Sequence, residues 1–373
     1  MNARKPKVVC AMSGGVDSSV AAALLKRDGY EVIGVFMRLG SPDGVEIAES
    51  STSDGKKHKQ GCCSVLDAAD ARKVAGVLDI PLYVLNFQEE FGKVINYFVD
   101  EYNRGRTPNP CVRCNDWLKF GKLARYAEAV GADFVASGHY ARIGDDPATG
   151  EQSLMRGVDH KKDQSYVLFG MTRVTLEHTL LPIGAFEKSV VRQLAQEFKL
   201  PTFNKPDSQE ICFVPNQDYA GLVKRRSPEN FREGELVDSA GKVVGSHEGH
   251  QQFTIGQRKG VGVAFGYPIY VVDIDPASNR VTIGERSALM KTKLRAKQIN
   301  LLSSRARDAH DLKCVAKIRY NSPPASASLN VVGDDEIEVT FDEPQTAITA
   351  GQAVVCFDGD IVLGGGWIEE AIE

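Results

Sequence analysis

The sequence lacks several features that define common classes of protein. Its 373 residues contain no apolar run of the roughly 20 residues that a membrane-spanning helix requires, and no apolar leader precedes the strand-like run at Lys7. Eight cysteines are too few for a disulfide scaffold in a chain of this length. We therefore expect a cytoplasmic protein without membrane association, in which clustered cysteines serve redox, sulfur or metal chemistry.

Basic residues are missing from one end of the chain. Residues 321–373 contain 11 acidic residues and no Lys or Arg, whereas residues 221–320 contain 18 basic and 10 acidic residues, a net charge of +8. Residues 1–220 are nearly balanced, with 27 basic and 28 acidic residues. A compact basic segment in a chain of net charge -4 indicates contact with a polyanion, although a solvated basic face would have the same composition.

Two patterns of hydrophobic residues divide the chain. Over residues 1–215, β-branched runs alternate with helical patterns, which predicts an α/β domain with a doubly wound, mostly parallel sheet. Short strands then follow one another, which predicts a small β-rich central domain at 216–290 and a C-terminal β-barrel at 291–373. The polar segment 41–60 is predicted to be a loop near the edge of the sheet that carries the site.

The segment Ser13–Ser18, with the sequence SGGVDS, joins the first predicted strand to the first predicted helix, Ser18–Asp28. Its two glycines allow backbone N–H groups to approach an anion, and the helix N-terminus adds positive potential. Asp17 is suited to holding Mg²⁺ or capping the helix. No GxxxxGK[ST] sequence occurs, so the usual phosphate-binding lysine is missing. The SGGxDS pattern after a first strand instead resembles the PP-loop of N-type ATP pyrophosphatases.

Cys111 and Cys114 lie in the sequence TPNPCVRCN, which we predict to be a rigid loop that enters a helix over Trp117–Val130. Proximity to a helix N-terminus and to Arg113 favours the thiolate form of a cysteine. We predict that the remaining isolated cysteines are small core residues. These are Cys10, Cys314 and Cys356.

Three kinds of chemistry are open to Cys111, Cys114 and Cys212. A zinc site lacks a fourth ligand unless Cys62 or Cys63 contributes one. A three-cysteine iron–sulfur site with an open iron position is chemically reasonable. The interpretation that we favour is a pair of thiols that carries sulfur as a persulfide and closes as a disulfide.

Nine motifs together give the sequence an end-to-end resemblance to the tRNA-specific 2-thiouridylases, which thiolate the wobble uridine of certain tRNAs. They are SGGVDSS, VFM, GCCS, TPNPCVRCN, SGHYAR, KDQSYVL, PDSQEICFV, GHQQFTIGQRKGVG and IRYN, in that order. Each motif is modest by itself, but their joint order is specific.

The resemblance implies a reaction in two halves. ATP adenylates O2 of the target uridine and releases pyrophosphate, and an enzyme persulfide then replaces AMP at C2. By position Cys212 corresponds to the persulfide carrier, and Cys114 to the nucleophile that frees the sulfur and closes a disulfide with Cys212. The implied cofactors are ATP with Mg²⁺, and the implied partners are tRNA and a persulfide donor, either a cysteine desulfurase or a sulfur-carrier protein.

The resemblance also implies three groups of binding residues. The ATP pocket corresponds to Ala11, Met12, Ser13, Gly14, Gly15, Val16, Asp17, Ser18, Met37 and Gly138. The loop that meets the target base corresponds to Asn109, Pro110 and Cys111. The tRNA-contacting positions correspond to His139, Lys162, Asp163, Gln164, Arg319, Tyr320 and Gln352. The central domain at 216–290, which covers most of the basic segment 221–320, is expected to bind the tRNA backbone.

The sequence departs from the family at Cys111, where many members carry an aspartate assigned to acid–base work or to positioning the base. This departure strengthens one alternative, in which Cys111, Cys114 and Cys212 bind a [4Fe-4S] cluster for the same reaction. A second alternative is a PP-loop enzyme that adenylates a small metabolite, which would need neither paired cysteines nor a basic segment. A third is an RNA-binding module without chemistry.

Overall fold

The computed structural model describes residues 4–40, 65–207, 211–214 and 217–372. The predicted loop 41–60 and the pair Cys62/Cys63 lie outside the described residues. The chain divides into two compact units. The first comprises Met1–Val94, Cys111–Gln217 and Asp360–Val362, and the second comprises Ile95–Pro110, Asp218–Gly359 and Leu363–Glu373. None of the described helices is long and apolar enough to cross a membrane.

The first unit is built on a parallel sheet. Its strands are β1 (Lys7–Ala11), β2 (Glu31–Arg38), β3 (Leu82–Asn86), β4 (Phe134–Ala136), β5 (Ala141–Asp145), β6 (Gln152–Arg156) and β7 (Thr179–Leu180). Five of them pair in parallel in the order β3-β2-β1-β4-β7. The remaining two, β5 and β6, form an antiparallel hairpin. The predicted α/β class is therefore confirmed, and the strand order reverses at β1, where open sheets of this kind bind ligands.

The helices of the described chain are α1 (Val16–Arg27), α2 (Val65–Leu78), α3 (Gln88–Asn103), α4 (Pro110–Cys114), α5 (Leu123–Ala129), α6 (Arg173–Glu177), α7 (Lys188–Glu197) and α8 (Tyr219–Arg226). Helix α8 and most of α3 belong to the second unit. Helix α1 is buried along nearly its whole length, because the small side chains of its Ala21–Ala23 run let it lie against the core of the sheet. It ends before Gly29 at φ +92°, as the sequence predicts.

The prediction of a rigid loop around the two cysteines is wrong. Helix α4 begins at Pro110, and it continues through a π-helical stretch, Asn115–Lys122, into α5. Proline fits the first turn of a helix because its missing N–H has no intrahelical partner there. Gly121 permits the wide π-turn, since a Cβ atom at this position would lie 2.7 Å from the carbonyl oxygen of Asp116. Both cysteines are therefore helical.

The second unit contains two β structures. A four-stranded sheet of order β10-β11-β8-β9 is formed by β8 (Gly234–Asp238), β9 (Val243–His247), β10 (Tyr270–Asp275) and β11 (Arg280–Gly284). The other strands are β12 (Met290–Leu301), β13 (Leu312–Lys317), β14 (Ala325–Gly333), β15 (Glu336–Thr346), β16 (Ala353–Asp358) and β17 (Ile361–Ile372). These six close through pairing of β12 with β17, which confirms the predicted C-terminal barrel.

The basic and acidic segments of the sequence meet on this barrel. Lys293 lies 2.6 Å from Glu338, and Arg295 lies 3.0 Å from Glu336 and 3.1 Å from Glu370. Strand β12 brings the cations, whereas β15 and β17 bring the carboxylates. Part of the +8 segment is therefore neutralised within the fold and is unavailable to a polyanion.

Two of the three cysteines predicted to be core residues are fully buried. Cys10 lies in β1, and burial raises the pKa of its thiol to about 12, so it stays protonated and unreactive. Cys356 is buried in the barrel. Cys314 is only partly buried, on the neighbouring strand β13. The predicted core role is therefore confirmed for Cys10 and Cys356.

Candidate functional site

The SGGVDS segment lies where the strand order of the sheet reverses. Gly14 has φ +74°, and a Cβ atom there would lie 2.2 Å from the carbonyl oxygen of Asp67. Gly138 follows β4, and a Cβ atom on it would lie 2.6 Å from the backbone nitrogen of Ser18. Two glycines from separate segments thus let three stretches of backbone approach one another closely. The result is an anion-binding geometry at the start of α1.

The residues predicted for the ATP pocket share this edge of the sheet. Val35 of β2 pairs with Ala11 at the end of β1, and Met37 lies two residues further along β2. The Ser13 backbone nitrogen donates to Ser18 Oγ at 3.2 Å, which closes the loop on the helix. The structure therefore brings together Ala11–Ser18, Met37 and Gly138 at the carboxyl ends of adjacent strands.

Asp17 is held by residues that sequence reasoning missed. Lys188 Nζ lies 2.7 and 2.9 Å from the two carboxylate oxygens of Asp17, and Tyr140 Oη donates to Asp17 Oδ1 at 2.8 Å. Lys188 is the first residue of α7, 171 positions later in the chain, so no local motif indicates the contact. It places a largely buried ammonium beside a loop that lacks the usual lysine.

Asp207 gathers three cations next to this pair. Its carboxylate accepts from Lys162 at 2.8 Å and Arg192 at 2.9 Å, and it lies 2.9 Å from Lys188. Burial by itself would raise the pKa of Asp207, but hydrogen bonds from Lys162 and Lys188 outweigh it and lower the pKa to about 2. Asp159 adds a further carboxylate, because it accepts from the Lys188 backbone nitrogen at 3.1 Å, so the three cations beside the phosphate loop are balanced by three carboxylates.

Lys205 fastens the loop itself. Its ammonium donates to the carbonyl oxygen of Gly14 at 2.7 Å, to Asp67 at 2.7 Å and to Asp70 at 2.8 Å. Burial lowers the pKa of Lys205, but its hydrogen bonds to the two carboxylates raise it above the usual range. The charged lysine therefore joins the loop to the start of α2.

The cysteine-bearing helix reaches the same edge. Lys119 Nζ, in the π-helical stretch, lies 3.2 Å from His139 Nε2, and His139 Nδ1 lies 2.7 Å from Ser137 Oγ. His139 directly follows Gly138, so this chain of contacts connects the helix to the phosphate loop. Within α4 Cys111 is exposed and Cys114 is half-buried.

The segment carrying Cys212 is anchored on both sides. Phe213 is buried and packs edge-on against Phe91 of α3, with ring centroids 5.5 Å apart. Upstream, Lys205 and Asp207 are bound at the phosphate loop. Cys212 is half-buried, whereas residues 208–210 of its motif lie outside the described residues.

The three cysteines do not form a metal-binding group in this structure. Within the described ranges, which include Cys111, Cys114 and Cys212, no three His, Cys, Asp or Glu side chains converge as ligands. The donor set of a [4Fe-4S] cluster is therefore not assembled, and we derive no step through one.

Two residues predicted to contact tRNA in the first unit are buried. Asp163 is 4% exposed, and it accepts from the Gly157 and Ser165 backbone nitrogens and from Arg156. His139 is 6% exposed. Both side chains have hydrogen-bond partners within the fold, so their contact with tRNA stays a prediction.

Gln164 and Lys162, two further positions predicted to contact tRNA, differ in their contacts within the fold. Gln164 accepts from the Tyr140 backbone nitrogen at 2.9 Å, which fixes the chain after β4. The Lys162 side chain is 41% exposed even though it pairs with Asp207, so it keeps access to solvent. Of the four predicted positions in this unit, Lys162 best fits contact with a phosphate.

The three positions predicted to contact tRNA in the second unit also differ in their contacts and exposure. Gln352 Nε2 donates to the carbonyl oxygens of Thr107 and Pro108 at 3.1 and 2.9 Å, and it thereby holds the chain leading to Asn109 and Pro110. Arg319 donates to the carbonyl oxygen of Thr346. Tyr320 is 37% exposed and therefore has ring surface to offer a base.

His139 gives the first unit a pH-dependent stability. Burial, together with the Lys119 charge, holds the pKa of His139 well below its usual range. The unfolded chain therefore takes up a proton that the folded protein does not. As the pH falls below about 6.5, the free energy of unfolding should decrease by up to about 1.4 kcal/mol per pH unit, until the folded pKa is reached.

The measurement is denaturant unfolding at a series of pH values. His139→Gln should show a shallower decrease between about pH 7 and 5, because glutamine does not titrate. His178→Gln is the matched control, because it removes an exposed histidine from the same unit whereas His139 is buried. An unchanged slope in His139→Gln would contradict the assignment.

Three domain models match the chain. Residues 6–216 match the "tRNA methyl transferase HUP domain", residues 222–285 the "tRNA methyl transferase PRC-barrel domain", and residues 291–368 the "Aminomethyltransferase beta-barrel domain". A solved 4-thiouridine synthetase–RNA complex with bound ATP aligns with 60% of this chain and 51% of its own, at 17% identity and a TM-score of 0.32.

Full-length relatives are far more similar. The tRNA-specific 2-thiouridylase MnmA of Clostridioides difficile is 50% identical over 98% of this chain and 99% of its own. The proteins of the same name from Carboxydothermus hydrogenoformans and Rhodopirellula baltica are 49% and 48% identical, over 99% and 98% of this chain and 99% and 97% of their own. The chain therefore belongs to the tRNA-specific 2-thiouridylase family.

Proposed function

We propose that the chain is an ATP-dependent tRNA-uridine 2-sulfurtransferase of the cytoplasm. One observation carries the proposal: the segments bearing Cys114 and Cys212 are both fastened to the edge of the sheet that holds the phosphate loop. Domain descriptions name a methyl transferase, but thiol pairs beside an ATP site fit sulfur transfer, and the full-length relatives are named for thiolation. The three-domain division at 215 and 290 is part of this proposal.

The reaction proceeds through adenylation of the uridine and then transfer of sulfur. Uridine O2 attacks the α-phosphorus of ATP and pyrophosphate leaves, which converts a poor leaving oxygen into AMP. The terminal sulfur of a Cys212 persulfide attacks C2, and the Cys114 thiolate attacks the inner sulfur of that persulfide. The S–S bond of the persulfide breaks, AMP leaves, and a Cys114–Cys212 disulfide forms. A dithiol reductant supplies two electrons before a persulfide donor, a cysteine desulfurase or a sulfur-carrier protein, reloads Cys212.

Lys188 supplies the phosphate-binding charge that the loop lacks. Its ammonium lies 2.7 Å from Asp17 and 2.9 Å from Asp207. Asp17 would hold the Mg²⁺ that accompanies ATP, and the ion would supply positive charge to the triphosphate. Lys188, which lies on the same carboxylate, would bind the phosphates directly.

Neutralising Lys188 is therefore expected to weaken ATP binding. Lys188→Gln should raise the KM for ATP by about ten- to a hundredfold, corresponding to one lost charge-assisted hydrogen bond of about 1.5–3 kcal/mol. Steady-state pyrophosphate release at saturating tRNA measures the change. Lys93→Gln, on the exposed face of α3, is the control and should leave the KM unchanged. If Lys188→Gln kept the wild-type KM for ATP, Lys188 would have no part in binding ATP.

The experiment that tests the function is anaerobic. The full chain is purified without oxygen, its iron content and visible absorbance are recorded, and it is incubated with ATP, an unmodified tRNA and a persulfide donor. Formation of 2-thiouridine together with AMP and pyrophosphate by colourless protein supports the proposal. Activity that follows iron content would replace the relay with a cluster at Cys111, Cys114 and Cys212. If AMP formed with a small metabolite and the chain did not bind tRNA, the assignment of tRNA as the substrate would be wrong.

A further inference from the structure

A loop in the second unit is closed on itself. Val271 accepts from the Gly256 backbone nitrogen at 2.8 Å, and its own nitrogen donates to the carbonyl oxygen of Gln257 at 2.9 Å. The Gln257 side chain accepts from the Thr254 backbone nitrogen and donates to the carbonyl oxygen of Lys259, each at 3.0 Å. The segment 257–271, named here the Gln257 loop, is therefore an Ω-shaped loop with joined ends.

The Gln257 loop displays cations without carboxylates. Arg258 and Lys259 are exposed, and within the described ranges neither has an ion-pair partner. The stretch 249–270 contains no Asp or Glu, although the chain has 49 of them. Many other cations of this unit are paired. These pairs include Lys224 with Glu248, Arg280 with Glu235, Lys293 with Glu338 and Lys313 with Asp311.

The same loop presents an aromatic ring. Tyr267 is 52% exposed, and its ring and that of Phe265 pack edge to face, with ring centroids 5.9 Å apart and planes at 61°. Phe265 in turn packs against the core of the four-stranded sheet. The exposed ring is therefore held in place from behind while part of its surface faces solvent.

We propose that the Gln257 loop is an RNA-binding surface, on which Arg258 and Lys259 neutralise backbone phosphates and Tyr267 stacks on a nucleobase. Uncompensated cations beside a fixed aromatic ring match the two general attractions of RNA, its phosphate charge and its flat bases. A protein partner would present mixed charges, for which a surface lacking carboxylates is poorly matched. The inference rests on the proposed function, because tRNA is the RNA that the loop would bind.

The first test is the salt dependence of tRNA binding. The double variant Arg258→Ala/Lys259→Ala should bind an unmodified tRNA transcript at least about tenfold more weakly, and its plot of log affinity against log salt should lose about two units of slope, roughly one per cation. The matched control is Lys242→Ala/Arg286→Ala, which removes two exposed cations of the same region and should change the slope less.

The second test separates stacking from charge. Tyr267→Leu should weaken tRNA binding by about fivefold or more with the salt slope retained, whereas Tyr267→Phe should bind like the wild type. Wild-type binding by Arg258→Ala/Lys259→Ala, or an equal loss in the control, would overturn this surface and leave the proposed function standing. A wild-type chain that binds no tRNA would overturn the proposed function itself.

Discussion

Replacing Cys212 with serine is expected to abolish 2-thiouridine formation while tRNA-dependent release of pyrophosphate from ATP continues. A hydroxyl cannot carry a persulfide, so the second half of the reaction loses its sulfur, whereas the phosphate loop and its lysines are untouched. The rate of thiolation should fall by more than about a thousandfold, as is usual when a covalent nucleophile is removed. The two readouts are the thiolated nucleoside after tRNA digestion and pyrophosphate in the same sample.

Cys114→Ser and Cys111→Ser complete the comparison. The relay requires Cys114 in every turnover, because its thiolate breaks the S–S bond of the persulfide, so Cys114→Ser should also lose thiolation. Cys111 is exposed at the first turn of α4 and has no sulfur-transfer role in the relay, so Cys111→Ser should keep substantial activity. Equal and complete loss in all three variants would favour a shared ligand set over a relay of two thiols. Cys314→Ser, on the barrel, is the unaffected control.

The sequence predicts the part of the site that is built from neighbours in the chain. The SGGVDS loop is recognisable because two glycines, a preceding β-branched strand and a following helix are contiguous, and β1 and α1 appear where this pattern places them. The six barrel strands are also predictable, since they follow one another with short connections, although their pairing order, with β12 beside β15 and β17, is not. Fold class and phosphate loop therefore follow from periodicity and motif.

The charges around the loop do not follow from local sequence. Lys188 and Lys205 reach Asp17 and Gly14 across 171 and 191 positions, so only the folded sheet shows that they meet. The net charge of +8 over residues 221–320 likewise overestimates the cations available to a ligand, because cations of β12 pair with carboxylates of β15. A net charge over a segment describes composition, whereas pairing across a barrel decides which cations remain for a ligand.

The start of the helix that carries Cys111 and Cys114 also does not follow from local sequence. The sequence TPNPCVRCN, with two prolines, is typical of a loop, yet its second proline is the first residue of α4. Proline is compatible with both states, so the choice is made by the packing of the following stretch, where Asn115 donates to the carbonyl oxygen of Val167 and Lys119 contacts His139. These partners lie outside the local window.

Adding one methyl group at Gly14 is expected to reduce ATP-dependent pyrophosphate release by about a hundredfold or more, the usual effect of displacing a catalytic element by about 1 Å. In Gly14→Ala the new Cβ would lie 2.2 Å from the carbonyl oxygen of Asp67, so the loop or the start of α2 must move. The matched control is Gly29→Ala. Both glycines have positive φ, +74° and +92°, but Gly29 has no atom within 4 Å of the added group.

The two variants therefore share the backbone strain of alanine at positive φ, about 1–2 kcal/mol, and differ in the contact at the phosphate loop. Gly29→Ala should be slightly less stable than wild type and retain its KM for ATP. Gly14→Ala should lose ATP binding while its far-ultraviolet circular dichroism matches that of the control. If both variants lost activity equally, strain alone would explain the effect, and the close approach of Gly14 to α2 would have no part in binding ATP.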